Sequence, residues 1–202
     1  MTAFPDFEEV AARFAPSALV PFSFNGASYA LPDTQTFPMM FYRTDVLKEL
    51  EIEPPTMENP WTWDDLIDIL PTLQSNNMSV LMETGDKTGA DVEQYGINTY
   101  AIFLYQYGGA FYSDDRTSSA MNSENAVEAF EYWTNFYTSY GLPTNFDMLS
   151  RFRTGESPIL LTDFPFYNNL SVSAPELKGL WQMTLVPGPG QDDGTLNQTT
   201  KG

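Results

Sequence analysis

From residue 36 onward, the sequence alternates between short apolar runs with strand character and longer segments whose apolar residues recur at helical spacing. Strands are predicted at 36–42, 79–83, 157–162 and 181–186. Helices are predicted at 44–50, 99–107, 124–139 and 145–153, with a further helix that begins after Thr62. This order predicts an α/β fold with helices layered on a sheet, and no internal repeat interrupts it.

The first part of the chain has a different pattern. Apolar residues at helical spacing predict a short helix at 6–14. Asn25-Gly26 favours a two-residue hairpin turn, because both central positions of a type I′ turn need a positive φ. The flanking strands are predicted at 19–24 and 27–31. Because a proline is tolerated mainly on edge strands, Pro38 predicts that the next strand begins at a sheet edge.

Several helix ends carry capping signals. Thr62 can accept from the amide of Asp65 while Asp65 reaches back, which is a capping box, and Trp61 can pack on Leu66 as a hydrophobic staple. Thr44-Asp45 predicts the start of the helix at 44–50, Ser123 the start of the helix at 124–139, and Gly109 a left-handed end for the helix at 99–107. The buried stripe of the helix at 124–139 is predicted to be Ala126, Phe130, Trp133, Tyr137 and Tyr140.

The composition excludes several classes of protein. The chain has neither cysteine nor histidine, so thiolate chemistry, disulfides and the common zinc sites are excluded, and no cofactor and no metal are predicted. Its formal net charge of -18 would repel nucleic acid and anionic bilayers. No apolar run is long enough to cross a membrane, so we predict a soluble segment without direct membrane insertion. By contrast, 15 Phe, 11 Tyr and 4 Trp supply many aromatic faces.

Seven short motifs carry a resemblance to a known family. They are FNGASYALP at 24–32, FYRTDVL at 41–47, WTWDDL at 61–66, GGAFY at 108–112, NSENAVEA at 122–129, FRTGES at 152–157 and LVPGPG at 185–190. In this order and spacing, the chain resembles the family 1 extracellular solute-binding proteins of bacterial ABC importers, which are maltose-binding-protein-like. The resemblance implies one lobe of the periplasmic-binding-protein type II fold, with helices around a mixed sheet.

The resemblance also implies a place for the chain within a larger molecule. Residues 1–35 would be a lead-in helix, a hairpin and an interlobe crossing strand, 36–190 the C-terminal lobe, and 191–202 a polar tail leading to the return crossing. The chain would then be incomplete relative to the two-lobe fold. The full-length protein is expected to be periplasmic or anchored outside the cell as a lipoprotein. Its partners would be a small carbohydrate or similar polar solute and an ABC permease.

The same resemblance implies a ligand site built from the interlobe strand, the start of the helix at 99–107 and the segment 163–167. The candidate ligand-binding residues are Gln35, Thr36, Thr99, Tyr100, Asp163, Phe166 and Tyr167. Sugars need flat aromatic platforms and hydrogen-bonding side chains, and this set contains both. Relatives often have a tryptophan directly after the proline of the last segment, and Phe166 takes that place here.

Alternative interpretations stay open for these residues. Phe166 is equally a core ring on the following helix, and Gln35 and Thr36 equally fit a solvated edge strand. For Tyr95, Tyr100 and Trp181 the sequence favours a structural role over a ligand contact in at least two of the three. One sugar face on one aromatic ring contributes about 1–2 kcal/mol, whereas micromolar affinity needs about 8 kcal/mol. One lobe alone is therefore expected to bind its solute in the millimolar range.

The sequence argues against a catalytic site and a calcium site, and it leaves one alternative function open. Glycoside hydrolysis needs two carboxylates across a cleft, and the adjacent pairs Asp64-Asp65, Asp114-Asp115 and Asp192-Asp193 do not provide this, so the chain is predicted not to be an enzyme. The segment 113–117 lacks the residue order of a calcium loop. A solute-binding-like interaction or sensor module within a larger surface protein, without transport, is the alternative of a different class.

Overall fold

The computed structural model describes residues 4–32, 36–82, 99–190 and 195–197. The chain divides into two compact units, Met1–Thr36 and Phe37–Gly202. Tyr95 and most of the predicted polar tail lie outside the described residues. In the described part, no helix is both long enough and apolar enough to cross a membrane.

The first unit contains two short helices and a hairpin. The helices are α1, Phe7–Ala11, and α2, Pro16–Leu19, and a 3-10 turn over Val20–Phe22 follows. The strands β1, Ser23–Phe24, and β2, Ala27–Ser28, pair antiparallel around Asn25-Gly26, whose φ values are 49° and 75°. The predicted hairpin turn is confirmed. The predicted first strand was too long, because prolines at 16 and 21 begin helical turns in that stretch.

The second unit is built on a four-stranded mixed sheet. Its strands are β3, Pro38–Arg43, β4, Val80–Met82, β5, Ile159–Asp163, and β6, Trp181–Thr184. The order across the sheet is β4-β5-β3-β6, with β4 parallel to β5 and the other pairs antiparallel. The helices are α3, Thr44–Glu49, α4, Trp63–Ser75, α5, Thr99–Gln106, α6, Glu124–Thr138, α7, Met148–Thr154, and α8, Phe166–Ser173.

Helices cover both faces of this sheet. Met40 and Tyr42 point into a core with α4, α5 and α6, whereas Phe41 points into a second core with α7 and α8. Because both faces are covered, β5 is buried along Ile159 to Thr162. The predicted α/β fold with helices around a mixed sheet is confirmed.

The prediction that β3 begins at a sheet edge was wrong. β3 lies between β5 and β6 and pairs with both. Pro38 is tolerated because it is the first residue of the strand and pairs with Asp163 alone, while the pairing with β6 begins at Met40. Pro38 has no backbone N–H to donate, but this does not interrupt the hydrogen bonds between β3 and β6.

The capping predictions hold at some helix ends and fail at others. The capping box of α4 is confirmed: the Asp65 amide donates to Thr62 Oγ1 over 3.0 Å, and the Thr62 amide donates to Asp65 Oδ2 over 2.7 Å. Ser123 also caps α6, by accepting from the Ala126 amide. Thr44-Asp45 does not cap α3, which begins at Thr44 without a side-chain cap, because the Asp45 carboxylate accepts from Arg43 instead.

The predicted buried stripe of α6 is confirmed in part, because Ala126 is buried but Phe130 is not. The buried residues are Ala126, Ala129 and Phe136, and Phe130 is 50% exposed. The two alanines let α6 pack closely on α5, and Phe136 fills the core beside them. Trp133, Tyr137 and Tyr140 remain half-buried at the margin of this contact.

The glycine pair after α5 has its roles reversed relative to the prediction. Gly108 adopts the left-handed conformation, with φ of 74°, whereas Gly109 is a point of close approach. A Cβ on Gly109 would lie 2.5 Å from Leu104 Cδ1 and 3.1 Å from the Leu104 carbonyl oxygen. The second glycine is therefore required by packing.

Substitution of Gly109 tests this assignment. Gly109→Ala should lower the free energy of unfolding by about 1–3 kcal/mol, because the added methyl overpacks the α5 terminus. The matched control is Gly190→Ala, since nothing lies within 4 Å of a Cβ there and the expected change is within about 0.5 kcal/mol. Urea denaturation of both variants measures the difference, and equal stabilities would contradict the role of Gly109.

Candidate ligand-binding site

Four aromatic rings of the second unit form a connected surface, which we call the aromatic face: Phe37, Phe164, Tyr167 and Trp181. Phe37 immediately precedes β3 and Phe164 immediately follows β5. Because the register pairs Pro38 with Asp163, the two rings lie side by side, and the Phe164 amide donates to the Phe37 carbonyl over 2.9 Å. The sheet itself thus positions the first half of the aromatic face.

The rings of the aromatic face have a regular arrangement. The centroids of Phe37 and Phe164 are 4.9 Å apart with 16° between the ring planes, and those of Phe164 and Tyr167 are 6.1 Å apart with 6° between the planes. Trp181 meets Tyr167 edge to face, at 5.7 Å and 67°. Phe37 is 39% exposed and Tyr167 is 42% exposed, whereas Phe164 and Trp181 are half-buried. Two rings of the aromatic face are therefore open to solvent.

Tyr167 is held in place by α8. The Tyr167 amide donates to the Phe164 carbonyl over 2.9 Å, so the ring leaves the chain in the first turn of the helix. The preceding Pro165 pre-forms this turn, since its φ of -56° is already helical. Trp181 of β6 then fixes the ring from its edge. These contacts pre-organise Tyr167 as a platform.

Phe166 is a core ring in the structure. It is only 7% exposed, and it packs edge to face on Phe41 at 5.4 Å and on Phe152 at 6.2 Å. Asp163, by contrast, is half-buried at the last position of β5, directly before the aromatic face. The segment 163–167 therefore places Asp163 at the end of β5 and Tyr167 in the first turn of α8, whereas Phe166 is part of the core.

Thr99 and Tyr100 lie in a different core. Both are buried at the start of α5, and Tyr100 packs on the α4–α6 side of the sheet, whereas Phe166 packs on the α7–α8 side. The indole N–H of Trp133 donates to Thr99 Oγ1 over 3.0 Å, and the Tyr100 hydroxyl donates to the Ala126 carbonyl over 3.1 Å. Burial raises the pKa of Tyr100. The structure thus ties both side chains to α6.

The two candidates of the predicted interlobe strand fall at the boundary of the units. Thr36 is exposed, is the last residue of the first unit and directly precedes Phe37 of the aromatic face. Gln35 lies outside the described residues. Among the described residues, no group of three or more carboxylates could hold a metal ion.

Sequence reasoning missed half of the aromatic face. Phe37 and Phe164 are not among the predicted candidates, and for Trp181 the sequence favours a structural role over a ligand contact. Their common signal is that each aromatic flanks or begins a strand, with Phe37 before β3 and Phe164 after β5. That signal identifies a shared surface only once the antiparallel pairing of β3 and β5 is known.

The comparisons with known proteins establish the family. A model of the bacterial extracellular solute-binding proteins matches residues 1–196 of the 202, and the chain therefore belongs to that family. The resemblance in the sequence motifs is thereby confirmed. None of the curated proteins matches the chain.

Solved structures show the same fold at low identity. An ABC transporter solute-binding protein from Thermotoga lettingae, bound with α-D-tagatose, aligns with a TM-score of 0.72 and 19% identity, over 93% of this chain and 50% of its own. Maltose-bound MalE3 from T. maritima aligns with a TM-score of 0.71 and 16% identity, over 95% of this chain and 48% of its own. UgpB from Mycobacterium tuberculosis, in complex with glycerophosphocholine, aligns with a TM-score of 0.68 and 16% identity, over 94% of this chain and 47% of its own. The chain thus spans about half the length of the structures it matches.

Proposed function

We propose that this chain forms the C-terminal lobe of a solute-binding protein that captures a carbohydrate, or a similar polar solute, for an ABC transporter. The single observation that carries the proposal is the aromatic face, which presents the open rings of Phe37 and Tyr167 at one end of the sheet. The sugar and sugar-like ligands of the structural neighbours support the same class of solute.

The chemistry of the site fits a sugar. The C–H face of a pyranose packs on the open face of Tyr167, where apolar area is removed from water without loss of the hydroxyl groups at its rim. The Tyr167 hydroxyl and the Asp163 carboxylate can exchange hydrogen bonds with those hydroxyls. Thr36 and Gln35 would add further polar contacts from the predicted interlobe strand.

The remaining candidates have a supporting role in this proposal. Phe166 fills the core beneath Tyr167, and its burial leaves no open face for a sugar. Thr99 and Tyr100 anchor the start of α5 through Trp133 and Ala126. We therefore assign contact with the solute to Tyr167 and Asp163, and Gln35 and Thr36 stay candidates from the sequence alone.

The proposal extends to the full-length, two-lobe protein and its transporter. In it, the solute would bring two lobes together by a hinge motion, and the closed form would dock on an ABC permease outside the membrane. The protein would be periplasmic or anchored as a lipoprotein, and it would bind its solute without chemical change. The glycerophosphocholine of one structural neighbour supports extending the solute class beyond sugars to other polar solutes.

Titration with a panel of glucose, maltose, tagatose and glycerophosphocholine tests the proposal. We expect millimolar dissociation constants for the 202-residue chain, measured by NMR titration or calorimetry. Tyr167→Ala should weaken the best ligand about tenfold, because one stacked ring is lost. The matched control is Tyr112→Ala, since Tyr112 is an exposed tyrosine of the same unit outside the aromatic face.

The possible outcomes separate the parts of this proposal. Equal losses in Tyr167→Ala and Tyr112→Ala would contradict the role of the aromatic face. A wild-type chain that binds none of the four compounds would contradict the proposed solute class. A micromolar complex would show that one lobe suffices for tight binding, against the expected weak affinity.

A further inference from the structure

We infer that the outer face of α4 and α6 is a docking surface for a partner protein that presents arginine or lysine side chains beside apolar ones. At its centre are four side chains that we call the acidic tyrosine cluster: Asp64, Tyr107, Glu128 and Tyr132. None of these residues belongs to the aromatic face, so the inference is independent of the proposed function and of the solute.

The helices of this face have acidic residues but no basic ones, since α4, α5 and α6 contain neither lysine nor arginine. The exposed carboxylates of α4 and α6 are Asp64, Asp68, Glu124, Glu128 and Glu131. In the described part of the chain, no lysine or arginine forms an ion pair with any of them. By contrast, Arg151 and Arg153 of α7 pair with Glu156 and Glu176. The negative charge of α4 and α6 is therefore complementary to a basic surface.

The acidic tyrosine cluster joins the three helices at one point. The ring centroids of Tyr107, directly after α5, and Tyr132 of α6 are 5.5 Å apart, with 42° between the planes. The Tyr132 hydroxyl donates to Asp64 Oδ1 over 3.5 Å, and Glu128 lies one helical turn before Tyr132. The Tyr132 ring also packs on Phe103 of the core, at 5.9 Å. The core thus holds the cluster in place, while both tyrosine rings remain partly exposed.

The chemistry of the cluster suits an organic cation. The face of a tyrosine ring attracts an arginine or lysine side chain, and a carboxylate accepts hydrogen bonds from the same cation. Burial, and then the charges of Glu128 and Asp64, raise the pKa of Tyr107 to about 12. Burial, and then Tyr107 and Asp64, also raise the pKa of Tyr132. Both rings are therefore neutral near pH 7 and lie in a negative field.

A partner protein fits this face better than a free amine does. One exposed ion pair or one cation–π contact contributes little, so a small cation that makes only these contacts binds weakly. Val127 and Phe130 of α6 are 46% and 50% exposed, and a partner that covers them removes apolar area from water. Glu124, Glu128 and Glu131 recur at helical spacing and follow one side of α6. A partner with several basic residues can pair with this row while it covers the apolar residues.

Titration with a synthetic peptide of alternating arginine and leucine tests the inference. At low ionic strength, Asp64→Asn combined with Glu128→Gln should weaken binding of this peptide about tenfold. The matched control is Glu49→Gln combined with Glu51→Gln, which removes the same charge from exposed positions at the end of α3 and just after it. In the control, the dissociation constant should change less than about twofold. Calorimetry measures the constants, and thermal unfolding shows that each variant is folded.

A second pair of variants tests the tyrosine rings. Tyr107→Phe keeps the ring and should bind the peptide as the wild type does, whereas Tyr107→Leu should weaken binding about threefold. Equal losses in the two double variants would show that the peptide responds to net charge alone, and the inference would be overturned. A folded Tyr107→Leu variant with wild-type affinity, or a wild-type chain that does not bind the peptide, would also overturn it. All three of these outcomes leave the proposed function untouched.

Discussion

Replacing Trp63 by alanine should lower the free energy of unfolding by about 3–5 kcal/mol, the largest loss we expect from one substitution in this chain. Trp63 is 1% exposed in the core between the sheet and α4–α6. Its ring stacks on Phe103 at 4.3 Å and meets Phe136 at 5.6 Å. Alanine leaves a cavity that these two rings, each held by its own helix, cannot fill. The midpoint of urea denaturation measures the loss.

A second substitution separates packing from hydrogen bonding at the same residue. The indole N–H of Trp63 donates to Gln106 Oε1 over 2.7 Å, and the Gln106 amide group donates to the Pro187 carbonyl over 2.8 Å. Trp63→Phe keeps most of the packing but leaves the buried Gln106 oxygen without its donor, so it should cost about 1–3 kcal/mol. Val172→Ala, on the exposed side of α8, is the control and should stay within about 0.5 kcal/mol. A Trp63→Ala variant no less stable than this control would refute the assignment of Trp63 to the core.

Arg43→Met should lower the free energy of unfolding by about 3 kcal/mol, because the substitution removes a buried guanidinium that joins three elements. Arg43 Nη1 donates to the carbonyl oxygens of Phe152, over 2.9 Å, and of Arg153, over 3.1 Å, at the end of α7. Its other nitrogens donate to the two carboxylate oxygens of Asp45, over 2.8 Å and 2.6 Å. Methionine fills a similar volume but leaves the two carbonyls and the carboxylate without this donor.

The acid range gives an independent check on the Arg43 contacts. The hydrogen bonds from Arg43 hold the pKa of Asp45 below its ordinary value, despite the opposing effect of burial. A carboxyl group whose pKa is lower in the folded state than in the unfolded state stabilises the fold at pH values above its unfolded pKa of about 3.9. This stabilisation is lost as the pH falls through the pKa of the folded state. The stability gap between wild type and Arg43→Met should therefore be widest near neutral pH and narrow below about pH 4. A gap that widens in acid would show that Asp45 does not contribute in this way.

Local sequence signals predicted the parts of the fold that depend on neighbouring residues. The capping box of Thr62 and Asp65 and the Asn25-Gly26 turn involve atoms within a few residues of each other, so the sequence contains everything these structures need. The place of β3 within the sheet was predicted wrongly, since it depends on pairing with β5 and β6 far along the chain. The buried side of α6 was missed for the same reason: contact with α5 decides it.

In the candidate site, too, features set by neighbouring residues were predicted and features set by distant contacts were missed. Tyr167 and Asp163 lie in one continuous segment, and the resemblance to the solute-binding family was enough to select them. Phe37 and Phe164 are adjacent because β3 and β5 pair antiparallel in one particular register. If that register shifted by one residue, the side chains of the shifted strand would point to the opposite face of the sheet. The burial of Phe166 follows from contacts with Phe41 of β3 and Phe152 of α7, which no local pattern of the segment specifies.

The central position of β3 has a consequence for how the chain acquires its structure. Phe41 pairs with Leu160 on one side and with Met183 on the other, so both partners of β3 are synthesised long after it. Closing such long loops is slow, because the entropy is lost before the contacts form. A nascent chain that has emerged only as far as α6 holds β3 without either neighbour. The backbone N–H and C=O groups along both edges of β3 then stay open to chaperones or to wrong pairing until β5 and β6 have emerged.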